Sequence, residues 1–177
     1  GLPTGKDRVD ALKSIASRVP ERHLPELMLL AIENHGLEAK AARPVIKAMV
    51  RSRNHHMVAQ ILPMIVETSP DLAVRMLDSL HRISGQEKFS IQPSALEIAL
   101  PLLGEAEFET VRTLCSNARV IGDVKLLADA LQGVDERAIR FAVTLAGRAD
   151  KAGDAKLAES MLEKAASDLL GIEGHSQ

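Results

Sequence analysis

Aromatic residues are nearly missing from this chain: three Phe, no Tyr and no Trp, 2% of 177 residues. A core of Leu, Ile, Val, Ala and Met favours helix-on-helix packing over a sheet sandwich, whose strands draw on aromatic and β-branched side chains. The same lack removes the rings on which single-stranded bases stack. Cys115 is the only cysteine, so an internal disulfide is excluded and a reducing, intracellular compartment is expected. No apolar run approaches the roughly 20 residues of a membrane span, so no membrane partner is expected. No targeting segment is visible, and a start at Gly1 rather than Met fits a trimmed chain. A formal charge of −2 does not announce a polyanionic partner.

Catalytic signatures are missing as well. The chain has no HExxH, CxxC or GxSxG. His55 and His56 are adjacent and so point about 100° apart on a helix, which keeps them from facing one metal ion. Thr4-Gly5-Lys6-Asp7 lacks the glycine spacing and the final Ser/Thr of a phosphate loop. Cys115 falls on the apolar side of its helix, as a buried structural thiol does. The expectation is a chain that is not an enzyme, with no catalytic residue, metal site, cofactor or small-molecule substrate.

What is present is helical periodicity. Apolar residues make up 46% of the chain. The stretch Lys40–Pro70 sets the pattern, with helices over Glu38–Ser52 and Asn54–Thr68 joined by a tight turn. Ala42, Val45, Ile46 and Met49 form the apolar face of the first. Lys40, Arg43, Lys47 and Arg51 form its opposite face. Val58, Ile61, Leu62 and Ile65 point inward from the second. Capping residues and glycine stops extend the pattern over the chain: Ser69 caps a helix over Pro70–Ser84, Asp123 and Asp135 cap later ones, and Asp154 after Gly153 opens another. Helices are also expected over Lys6–Arg18, Pro20–His35, Pro93–Leu103 and Glu105–Arg119. Hairpins then cover 6–35, 38–68, 70–103, 105–133 and 135–170, with a frayed tail at 171–177. Turns near Arg53, Gly85, Gly122 and Gly153 are 32, 37 and 31 residues apart. That period marks helical-hairpin repeats, so the predicted fold is all-α: a single-domain α-solenoid of about five antiparallel hairpins, with a closed bundle as the alternative.

Pro44–Leu72 (PVIKAMVRSRNHHMVAQILPMIVETSPDL) resembles a pentatricopeptide repeat, a relative of the tetratricopeptide repeat. Ile121-Gly122-Asp123 and Ala152-Gly153-Asp154 resemble that family's alanine-glycine turn. The resemblance covers Lys40–Pro70, Glu105–Gly133 and Asp135–Gly171. It implies single-stranded RNA as partner, bound by the inner faces of the first helices, and a mitochondrion or plastid as location. The family's base-reading position, usually a small polar residue, matches Arg43, Arg112 and Val143 here, and arginine suits phosphate better than a base.

The charges bear on the same point. Most of the 22 Lys and Arg residues fall on the first helices and their exit turns, leaving these net positive and the second helices net negative. The candidate interface is Arg43, Lys47, Arg51, Arg75, Arg82, Arg112, Arg119, Arg137, Arg140, Arg148 and Lys151. Arg75 with Arg82, and Arg112 with Arg119, share a face at a spacing of seven. Arg137, Arg140, Arg148 and Lys151 share another. Arg43, Arg75 and Arg112 each precede their expected turn by ten residues, as rungs of one ladder. Two functions remain open: an RNA-binding module, and a protein–protein scaffold that does not bind RNA.

Overall fold

In a computed structural model the described residues are 5–24, 26, 27, 62, 63, 65–67, 69–86, 93–132 and 136–175. The helix expected over Glu38–Ser52, most of those over Asn54–Thr68 and Pro20–His35, the His55-His56 pair and the Asp135 cap lie outside them. The chain divides into two compact units, Gly1–Ala99 and Leu100–Gln177. Among the described residues all regular structure is helical, and no helix is long and apolar enough to cross a membrane.

In the first unit, α1 (Gly5–Arg18) buries Ala16 and leaves Ile15 exposed. A 3-10 turn, Glu21–His23, follows where the sequence suggested an α-helix starting at Pro20. Residues 62, 63 and 65–67 are helical and carry buried Ile65. Ser69 then caps α2 (Pro70–Gln86) as expected, its Oγ accepting the Leu72 N–H at 3.2 Å. Gly85 does not stop α2, which runs on to Gln86. Met76–Leu80 are five buried residues in succession. At about 100° per residue they sweep the whole circumference, so α2 is enclosed over that stretch. A side chain such as Leu77 contributes about 1.5–3 kcal/mol there.

The helix expected over Pro93–Leu103 is two pieces. Ser94 and Glu97 form a reciprocal capping box: Ser94 N–H donates to Glu97 Oε2 at 2.7 Å, and Glu97 N–H donates to Ser94 Oγ at 3.2 Å. That starts α3 (Ala95–Ala99), which packs on α2. A 3-10 segment, Leu100–Glu105, takes over and carries on through Gly104. The physical reason is Pro101, which has no N–H to give the carbonyl of Glu97 and whose ring crowds it.

The second unit holds this 3-10 segment, α4 (Phe108–Ser116), α5 (Ile121–Ala130), α6 (Glu136–Lys151) and α7 (Ala155–His175). Helix α4 ends at the Asn117 cap, short of Arg119. The turn to α5 is formed by residues 117–120, not Gly122, which lies in the first turn of α5. Likewise Asp123 is an acid in that first turn and not the cap, a position held by Val120. Gly153 meets its expectation. Its φ of +92° is left-handed. Its N–H donates to Asp150 O while Asp154 N–H reaches back to Ala149 O, both at 3.0 Å. This is a Schellman closure of α6. Asp154 also caps α7, its Oδ1 accepting the Leu157 N–H at 3.0 Å. One residue therefore ends one helix and begins the next, and α6 and α7 pack as a tight hairpin. Helix α7 continues past Leu170 to His175, so 171–175 are helical where a frayed tail was expected.

The core of this unit is Val111, Leu114, Cys115, Val124, Leu127, Phe141, Leu145, Ala146 and Ala149. Phe108 stacks on Phe141 with ring centroids 5.0 Å apart. Helix α6 also packs on α4 and α5, and α5 on the 3-10 segment.

Candidate nucleic-acid interface

Basic side chains on the exposed side of a helix present charge only if nothing nearby has already taken it. Four expected interface arginines carry an acid one helical turn before them. Arg75 Nε lies 3.0 Å from Asp71 Oδ2, and Arg82 Nη2 lies 3.6 Å from Asp78 Oδ2. Arg112 donates from Nε and Nη2 to Glu109 Oε2 at 2.9 and 2.6 Å. Arg140 Nη2 donates to Glu136 Oε1 at 2.6 Å. The Arg112 and Arg140 pairs are exposed. Each contributes about 0–1 kcal/mol, so an incoming anion can compete for either arginine. The Arg82 contact is the longest of the four, and its acid Asp78 is buried.

Arg137 and Arg148 have a different role. Arg137 Nη2 donates to Ala106 O at 2.9 Å, and its guanidinium lies 5.7 Å from the ring centroids of both Phe108 and Phe141. Arg148 Nε donates to Ala118 O at 2.6 Å. Ala106 precedes α4 and Ala118 follows it, so the two arginines clasp α4 at both ends. The partners are 31 and 30 residues apart in sequence. Helices α4 and α6 therefore run parallel, start beside start and end beside end. The face shared by Arg137, Arg140, Arg148 and Lys151 in the sequence is split. Arg137, itself exposed, and half-buried Arg148 reach toward α4, while Arg140 and Lys151 do not.

Arg119 and Lys151 are exposed and have no ionic partner among the described residues. Arg43, Lys47 and Arg51 lie outside the described residues, and so does the first rung of the ladder. For Arg112 the ten-residue rung no longer refers to a turn, because Gly122 is helical. Val143, matched to the base-reading position, is exposed; Thr113 beside Arg112 and Thr144 beside Val143 direct their hydroxyls to their own helix carbonyls, Glu109 O and Arg140 O. The arginine clasp was absent from the sequence reading. No residue type marks it, because its acceptors are backbone carbonyls.

Cys115 is fully buried. Among the described residues no cluster of three or more His, Cys, Asp or Glu side chains could hold a metal ion. No protein-family model, curated protein or solved structure matches this chain.

Proposed function

We propose that this chain is a non-catalytic helical-repeat module, an α-solenoid built of hairpins, whose work is to hold another protein. The observation that carries the reading is the parallel pairing of α4 and α6 at an offset of 31 and 30 residues, with α6 and α7 closed as a hairpin. Offsets of that size are the period of stacked helical hairpins, which present extended surfaces to partners. The charge arrangement favours a protein over a nucleic acid. On the exposed sides of α4 and α6 the cations Arg112 and Arg140 stand beside the anions Glu109 and Glu136, a mixed surface rather than a basic track.

RNA binding is the second reading, favoured by the exposure of Arg112, Arg119, Arg140 and Lys151. Phosphate neutralisation by such residues gives salt-sensitive, sequence-independent affinity. One experiment separates the two. Complexes are isolated from the native source with and without ribonuclease, and purified chain is titrated with mixed single-stranded RNA at two salt concentrations. The protein reading expects assemblies that survive ribonuclease and RNA binding that is absent or indifferent to reversing Arg112, Arg119, Arg140 and Lys151 to Glu. Ribonuclease-sensitive assemblies, with low-salt RNA binding lost on charge reversal, would establish the RNA reading instead.

A further inference from the structure

Val143 on α6 and a line of residues on α7 leave apolar side chains uncovered. On α6, Val143 lies about 200° around the helix from Phe141, the residue stacked on Phe108, and so points away from α4. It is 49% exposed. On α7, Ala158 and Ala165 are buried. Beside that line Leu162, Ala166 and Leu169 recur at helical spacing and are exposed, Leu162 by 47% and Leu169 by 44%. Leu170, at 67%, adds to the same side. The hairpin turns at Gly153, which sets Val143 level with the stretch 162–166 of the antiparallel helix. The outer border of the stripe carries Glu159 and Glu163. Both are exposed, they are one helical turn apart, and neither has an ionic partner among the described residues. Like charges at that spacing are mutually unfavourable.

We propose that this face docks an amphipathic helix of a partner protein, with apolar anchors set against Val143, Leu162, Ala166 and Leu169 and with Lys or Arg along the flank that meets Glu159 and Glu163. The proposal rests on the protein-binding reading above and names its surface. Two observations choose the occupant. The stripe borders the buried Ala158–Ala165 line of α7, so a second helix laid on it packs its anchors against Leu162, Ala166 and Leu169 directly beside that line. The uncompensated carboxylates at its border call for cations. A second copy of this chain laid antiparallel on the stripe would bring its own Glu159 and Glu163 to the same seam, where like charges repel.

The test uses the full chain and three synthetic peptides. One is an amphipathic helix with Leu at i, i+3, i+4 and i+7 and Lys on its flanks. The second has the same composition scrambled, and the third has Glu in place of Lys. The Lys-flanked helix is expected to bind at least roughly tenfold more tightly than either control. E159K/E163K inverts the flank preference. L162D/L169D abolishes binding of all three peptides with the far-ultraviolet circular dichroism unchanged, which excludes unfolding as the cause. Equal binding of the scrambled peptide, or a flank preference untouched by E159K/E163K, overturns the proposal. So does a wild-type dimer that L162D/L169D dissociates, since the occupant is then a second copy. Ribonuclease-resistant assemblies that persist in L162D/L169D also overturn it, while leaving the protein-binding reading standing on another surface.

Discussion

Arginine has two uses in this chain, and the partner decides which. Arg148 donates its Nε–H to a backbone carbonyl across a helix–helix contact, and that carbonyl loses this donor once the side chain is gone. Arg148→Ala is therefore expected to destabilise the second unit by about 1–3 kcal/mol, read as a lower urea midpoint. Arg137→Lys is expected to recover little of what Arg137→Ala loses, because a compact ammonium lacks the broad guanidinium fork that sits near both phenyl rings while donating to Ala106. Arg112→Ala, which breaks only an exposed pair with Glu109, should stay within about 0.5 kcal/mol of wild type. A midpoint shift of Arg112→Ala as large as that of Arg148→Ala would remove the distinction. Cys115 belongs at this scale too. Fully buried, it should resist an aromatic disulfide reagent in the native protein and react stoichiometrically in denaturant; rapid labelling of the folded chain would contradict the packing.

At the scale of the element, helix ends that depend on a local side chain were legible. Ser69 and Asp154 cap where their types and positions indicated, and Gly153 takes the left-handed conformation that a residue with a Cβ avoids. Gly153→Ala is accordingly expected to cost about 1–2 kcal/mol, and Asp154→Ala about 1 kcal/mol. Both would appear as a lower melting temperature, and an unchanged one for either would refute the turn. Ends that depend on a competing residue were misread. Gly122 looked like a turn, but a glycine is tolerated in a first helical turn, and residues 117–120 had already reversed the chain. Pro101 was passed over, although its missing N–H is what tightens 100–105. The acid partners of Arg75, Arg82, Arg112 and Arg140 were readable as i, i+3 and i, i+4 spacings. The clasping roles of Arg137 and Arg148 were not, because they are set by carbonyls about thirty residues away that no local pattern marks.

For the whole molecule, the division at Ala99 implies that each unit carries its own core. The fragment 100–177 buries Val111, Leu114, Val124, Leu127, Phe141 and Leu145, and within it α6 packs on α4, α5 and α7. It is expected to keep a helical circular dichroism spectrum and a cooperative thermal transition when expressed alone, although a unit of this size is only marginally stable. A featureless melt would show that the unit borrows stability from the rest of the chain. The clasp has a further consequence for what lengths the stack tolerates. The two guanidinium attachments are separated by roughly 16 Å along α6, at 1.5 Å per residue, and they grip carbonyls at the two ends of α4. Helix α6 thus serves as a gauge for its neighbour. A residue inserted within α4 moves one carbonyl off its guanidinium while the other stays in place, whereas a residue inserted between Leu131 and Glu136, ahead of α6, changes the length of neither helix and leaves both attachments intact. Variation in chain length is therefore expected to be excluded from 108–116 and admitted at 132–135.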